Sequence, residues 1–268
     1  MSLFKFRYAQ DRLPVALIVA LFVLDLLVFL FVQNVWLVTA WMLLGLGPKA
    51  CICSWNHHHQ HLSTFMHWLP NRLLELVYAF HTGITSNAWV LHHVLGHHVN
   101  YLDQAKDESG WKRKDGTVMG VVEYTWNVAL TGYWRAHKVA QKYLQHGPVF
   151  YGMGLLVAAL LVCMAFYSWV NTVIVFMMPM LIGYIITVWH TYYHHAGLDT
   201  SDAHEASYNI MHKWYNRLTG NLGYHTAHHM KMGLHWSKLP EYHAEIEANI
   251  PSQNFVEPCI PFKWMSSK

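Results

Sequence analysis

Histidine is the residue type in this chain with the most chemistry to offer. There are 22 histidines, more than Lys and Arg together at 18. They fall into groups: His57-His58-His59-Gln60-His61, His92-His93-Val94-Leu95-Gly96-His97-His98, His190 with His194-His195, and His225-Thr226-Ala227-His228-His229. Within a group, histidines stand three or four residues apart. Positions i, i+3 and i+4 of an α-helix share a face, so imidazoles at that spacing can converge on one metal ion. Neutral imidazole is the commonest metal ligand among side chains. The pattern recurs at His93/His97/His98, His190/His194/His195 and His225/His228/His229, with His57/His61 beside them, too often for chance. A single zinc takes about four ligands, so this many grouped histidines imply two metals or more. Iron, copper, nickel and zinc all accept imidazole, and ligand type alone leaves the metal open.

Two pairs of apolar runs must carry these groups. Leu13–Val32 is followed by Val35–Gly47, extending toward Cys53, with only Gln33-Asn34 between them. Pro148–Tyr167 and Val173–Trp189 are joined near Ser168-Trp169-Val170-Asn171. Each run is close to the ~20 residues that an α-helix needs to cross a bilayer. The expected fold is therefore all-α and polytopic: two transmembrane hairpins with spans at 13–32, 35–53, 148–167 and 172–189. Residues 54–147 and 190–268 would form a helical cytoplasmic cap, the whole chain 1–268 being one membrane domain. Composition agrees, with 54% hydrophobic and 12% charged residues, against about 25% charged in a soluble domain. That excludes an ordinary soluble enzyme and a disordered chain. The net charge of +3 gives no reason to expect a nucleic-acid partner, and the four cysteines make no disulfide framework.

With the second apolar run taken to end at Gly47, none of the 18 Lys and Arg residues falls in a tight turn or inside a run; they sit in Met1–Arg12, Pro48–Gly147 and His190–Lys268. The positive-inside rule then places both termini and the cap on the cytoplasmic face; a bacterial inner membrane is expected in preference to the endoplasmic reticulum. No N-terminal signal peptide is expected. The histidine groups lie just beyond the apolar runs, whereas a metal transporter would carry ligands near the midplane. Asp25 interrupts the first run; a carboxylate there is a functional candidate by default, and the plainer reading is a polar contact to a neighbouring helix or to interfacial water. The stretch from Leu69 to Leu95 is too polar to span and suits an interfacial or cap helix. Val118–Leu130 reads as a short helix of the cap, Asp103–Gly116 as a polar loop and Asn249–Lys268 as an extended tail.

The boxes HHHQH, HHVLGHH and HTAHH resemble the three histidine boxes of the integral-membrane fatty acid desaturase and hydroxylase superfamily. The segment GNLGYHTAHHMKMGLHWSKLPEYH is similar to the third box and the stretch after it, and the likeness runs from Leu13 to about Glu245. The resemblance implies a non-haem di-iron oxidase using dioxygen on an alkyl chain, with desaturation the expected outcome. Hydroxylation, or another outcome such as decarboxylation, is the alternative; a non-catalytic metal-binding protein is a third. Carried onto this chain, the implied ligands are His57 and His61, then His93, His97 and His98, then His225, His228 and His229. One more is expected after the last span, where His195 is preferred over His194 and His190. Asn221 is a candidate for holding a water on one iron, or else a helix-capping residue. His58, His59 and His92 read as residues around the ligands, and Asp103, Asp107, Asp199, Asp202 and Glu205 as candidates to accept the second N–H of a ligand imidazole. The implied cofactors are two ferrous ions, with dioxygen as co-substrate. The implied partners are a fatty acyl lipid, membrane lipids, and a separate electron donor of ferredoxin, rubredoxin or cytochrome type with its reductase. Lys112-Arg113-Lys114, Arg135, Lys138 and Lys142 could meet an anionic head group or that donor.

Overall fold

The computed structural model describes residues 3–266. It is built of helices, and the described residues contain isolated bridges but no strand. The chain divides into two compact units, one of Met1–Trp89 with Ala140–Thr187 and one of Val90–Val139 with Val188–Lys268.

The first unit contains α1 (Arg12–Phe31), α2 (Val35–His61) and α3 (Trp68–Thr82). Asn34 makes the tight turn between the first two. Its side-chain oxygen accepts from the backbone N–H groups of Trp36 and Leu37 at 3.0 and 3.3 Å, satisfying two of the orphan donors at the start of α2. α2 then runs unbroken through Pro48 to His61. This is longer than the apolar run alone predicts, and it puts the first histidine box on the last turns of the same helix. α3 lies against α1 and α2 and buries Leu74, Tyr78 and Phe80 on the inner side of its amphipathic surface.

Three stretches are long and apolar enough to cross a membrane: Ala9–Phe31, Val35–His61 and Leu144–His195. The sequence alone leads one to expect four. The third stretch has 52 residues, about 78 Å if it were straight and more than twice a hydrocarbon core of about 30 Å. It is not straight. α5 (Gly147–Asn171) leaves helical geometry at Ser168, with φ −154° and ψ 98°. A π-helical turn, Thr172–Met177, leads into α6 (Met178–His195). The break falls on Ser168 itself, and the other residues of the expected joint stay helical. Leu160, Leu161 and Met164 from before it pack on the same apolar cluster as Val175, Phe176 and Met180 from after it.

Asp25 does meet a neighbouring helix. Its carboxylate lies 2.9 Å from the Lys49 ammonium and accepts from Trp41 Nε1 at 2.8 Å, both on α2, and His81 Nδ1 of α3 stands 3.5 Å away. The placement of every Lys and Arg outside the spans is therefore corrected. Lys49 is buried within a candidate span, and Asp25 makes that tolerable by neutralising it.

The second unit opens on a π-helical segment, Val90–His98, followed by turns to residue 120. α4 (Val121–Lys142) is longer than the short helix expected around Val118–Leu130. After the end of α6 come α7 (Lys213–Thr219), α8 (His225–Met230) and α9 (Leu239–Ile246). Among its described residues the tail carries only short 3-10 turns, and hydrogen bonds tie it down. Asn209 N–H donates to the Asn254 carbonyl at 2.7 Å, and Val256 N–H donates to the Asn209 carbonyl at 2.9 Å. The Asn254 side chain donates to the carbonyls of Glu205 and Ser207.

Candidate metal centre

α8 is only six residues long, too short to be stable by itself, so its three histidines need outside support. Thr226 supplies the anchor. Its N–H donates to Asn209 Oδ1 at 3.1 Å, and its hydroxyl accepts from Asn209 Nδ2 at 2.8 Å and lies 2.9 Å from Ser207 Oγ. The approach to α8 is held by Asn216, which accepts from Gly223 N–H at 2.9 Å and donates to the Ile210 carbonyl at 2.8 Å. A Cβ at Gly223 would lie 2.0 Å from that carbonyl, so only glycine fits there. With α8 fixed, His225, His228 and His229 share one buried face.

The second box is arranged differently. In the π-helical segment Val90–His98 residues five apart align, and His93 and His98 bring their Nε2 atoms to 3.0 Å. Sequence spacing read on an α-helix does not find this pairing. Gly96 lets the loop that follows come close, since a Cβ there would meet Glu108 Cγ at 2.8 Å. The loop delivers Asp107, which is buried and whose Oδ1 accepts from His97 Nδ1–H at 2.8 Å and from Ser109 N–H at 2.8 Å.

Within the second unit the histidines gather into two neighbouring sets. The ligand atoms of His97, His195 and His229 lie within 4.8 Å of one another, and so do those of His93, His98 and His228. His228 Nε2 is 3.1 Å from His98 Nε2. His225 Nε2 lies 3.1 Å from that of His195 and 3.2 Å from that of His229.

One contact decides what this arrangement wants. His97 and His195 face each other Nε2 to Nε2 at 3.2 Å. His195 Nδ1 lies 2.9 Å from the Ala206 carbonyl, which can only accept, so its proton is on Nδ1. His97 Nδ1 carries its proton toward Asp107. In the neutral rings both Nε2 atoms are therefore bare lone pairs pointed at each other, and no hydrogen bond can join them. A cation between them satisfies both, which is the pattern of metal-bound histidine whose other N–H is fixed by a carboxylate or carbonyl. Burial holds the His229 ring well below the usual histidine range, and His195 and His225 beside it add to the effect. A neutral ring is the form that ligates.

The other candidates divide cleanly. His190 and His194 turn toward Tyr215, with Nε2 atoms 2.6 and 3.4 Å from its hydroxyl, while His195 alone of the three directs its Nε2 at the cluster. In the first unit His57 and His61 lie one turn apart near the end of α2, ring centroids 4.8 Å apart, with Trp89 against His57 at 5.3 Å. His59 is engaged elsewhere, by Thr64 at 2.8 Å and Glu75 at 3.2 Å, and His58 packs between Trp55 and His57. Burial and then the Arg135 guanidinium push His92 down to about 3. Asn221 sits in the left-handed region at φ 62°, and its side chain donates to the Trp236 carbonyl at 3.2 Å. Of the five acids, Asp107 alone bonds a grouped histidine. Asp103 pairs with Lys106, Asp199 with Lys112, Asp202 with His204, and Glu205 accepts from Thr200. The basic patch is largely spoken for within the unit: Arg113 pairs with Glu123, and Arg135 donates to the Glu108 carbonyl, Thr131 and Asn127. Sequence reasoning did not single out Asn209, Asn216 or Tyr215. Their roles arise from folding, and no spacing announces them.

Comparison with protein families matches the chain to the family described as fatty acid desaturase, over residues 33–258. Comparison with curated proteins and with solved structures gives no match.

Proposed function

The chain belongs to the fatty acid desaturase family, and on that premise we propose that it is a membrane-bound di-iron oxidase that desaturates a fatty acyl chain. Membership makes it an integral membrane protein and an oxidoreductase of lipid metabolism, consistent with its three long apolar stretches. The observation that supports the metal part of that reading is the pair of bare Nε2 lone pairs on His97 and His195, while the choice of iron and of desaturation rests on the family.

On this reading His97, His195, His225 and His229 serve one iron and His93, His98 and His228 the other. His57 and His61 of the first box complete the ligand set. Iron bound there supplies dioxygen activation and removal of hydrogen from an unactivated C–H bond. The protein's part is preorganisation. Asp107 and the Ala206 carbonyl hold the tautomers of His97 and His195, so that each presents its lone pair without rearrangement. Asn209 and Thr226 fix the helix that carries three more ligands. Burial of these rings keeps water from the reacting groups. Asn221 serves by shaping the turn into α8.

The proposed topology has four crossings, the break at Ser168 closing the second hairpin, with both termini and the histidines on the cytoplasmic side of a bacterial inner membrane. The Lys and Arg distribution supports it once the neutralised Lys49 is set aside. Electrons come from a separate ferredoxin, rubredoxin or cytochrome with its reductase.

The test is expression in a lipid-rich host with mass spectrometry of the acyl products, together with metal analysis of anaerobically purified protein. An alkene and about two irons per chain are expected. An alcohol without an alkene would move the reading to a hydroxylase. A single tightly held zinc without iron would overturn it.

A further inference from the structure

The second unit holds a buried phenol that the mechanism above does not use. Tyr215, on α7, is 1% exposed. Its hydroxyl lies 2.6 Å from His190 Nε2, within the reach of direct proton transfer, and 3.4 Å from His194 Nε2. The His194 ring in turn stacks on His225, with centroids 3.8 Å apart and planes 19° apart. Van der Waals contact is thus continuous from a proposed iron ligand to the phenol.

A second tyrosine gives the contrast. Tyr101 packs directly on the cluster, its ring 4.5 Å from His229 and 6.3 Å from His97. By distance it is the better placed to lose an electron to the metals. Among the described residues, however, no imidazole takes its phenolic proton. Removing an electron alone from a phenol leaves a strongly acidic radical cation, whereas removing electron and proton together leaves a neutral phenoxyl at much lower driving force. A proton acceptor at hydrogen-bond distance therefore outweighs a few ångströms of separation.

We propose that Tyr215 is a one-electron relay for the metal centre, with His190 as its proton acceptor. The phenolic O–H bond breaks. The electron passes through His194 and His225 to the oxidised metal pair, which is reduced by one electron, and the proton bonds to His190 Nε2. The resulting phenoxyl is restored by one electron from the external donor, and the proton returns from His190. Such a relay drains an oxidant formed when no substrate C–H bond is in place, before it attacks the histidine ligands. The relay rests on the reading that the cluster holds redox-active iron.

The experiment uses the full chain loaded with iron, reduced, mixed with dioxygen without substrate and frozen for electron paramagnetic resonance. Iron content and the ferrous-to-ferric change are followed in parallel by Mössbauer spectroscopy. A phenoxyl signal is expected in the wild type and in Tyr101→Phe, is lost in Tyr215→Phe, and falls at least about tenfold in His190→Phe, which keeps the phenol but removes its acceptor. Should Tyr215→Phe lose its iron, fluorotyrosine placed at position 215 preserves the phenol, and added fluorine splitting identifies the radical. A wild type that binds no iron, or whose iron dioxygen leaves ferrous, defeats the di-iron reading and the relay with it. Iron that is oxidised without a phenoxyl leaves the di-iron reading standing and overturns the relay. So does a signal that survives in Tyr215→Phe, vanishes in Tyr101→Phe, or shows no fluorine splitting.

Discussion

Two clusters, one in each unit, both bury ionisable side chains and differ in how their valences are met. In the first unit Asp25, Lys49 and Trp41 answer one another: the carboxylate has an ammonium at 2.9 Å and an indole N–H at 2.8 Å. Nothing further is needed for neutrality. In the second unit His97 and His195 have spent their protons on Asp107 and Ala206 and meet lone pair to lone pair at 3.2 Å. The difference separates a cluster that ties helices together from one that the proposed reading assigns to an ion. Burial of polar groups does not distinguish them; the direction of each proton does.

The comparison can be broken most directly at the ligands. His195→Ala is expected to lose one iron and essentially all product, a fall of more than about 100-fold, because effects of that size already follow from changes one shell further out. Metal analysis alongside product assay checks it, and full iron occupancy would remove His195 from the centre. At the other cluster, Asp25→Asn leaves the Lys49 charge buried alone and is expected to destabilise the protein by about 3–5 kcal/mol. Thermal unfolding in detergent measures this, and Asp25→Leu combined with Lys49→Met should recover most of the loss. The iron content of the folded fraction should stay the same, and a proportional fall in iron would erase the distinction between the clusters. Asp107→Asn is subtler. It keeps the shape but weakens the hold on the His97 tautomer, and iron affinity should drop by about 10–100-fold, read by competition with a chelator.

The smallest effect concerns His243, buried in the second unit with neither ring nitrogen hydrogen-bonded. Burial lowers its pKa, against the opposing pull of Glu247. Its unfolded value is near 6.5, so below that pH the unfolded chain binds a proton that the folded one resists. Stability is then complete above the ordinary histidine range and declines as pH falls through it. His243→Phe should flatten that part of the unfolding profile of metal-free protein, and an unchanged slope would exclude His243 as its source.

Much of this was legible beforehand. The apolar runs predict the long helices, and the grouped histidines lead to the family to which the chain belongs. The three-and-four spacing in HTAHH matches the single face of α8. What could not be read has physical causes. A π-helical turn is a choice among backbone hydrogen bonds that the letters HHVLGHH do not announce, so the pairing of His93 with His98 stayed hidden. Lys49 follows Gly47-Pro48, which reads as the end of a span, and only the partner carboxylate on another helix lets the helix continue with the cation inside. Asp107 was one of five plausible acids, because a loop's path, not its composition, decides which carboxylate reaches a ring.

The opposed lone pairs of His97 and His195 have a consequence for the life of the protein in the cell. On the proposed reading, two acceptors facing each other in the interior favour the fold most once an ion joins them, so acquiring metal and finishing the fold would become a single event. If the proposed di-iron reading holds, iron supply would govern abundance as well as catalysis: chains made during scarcity would open more often and meet proteases sooner, while chains made in plenty would persist.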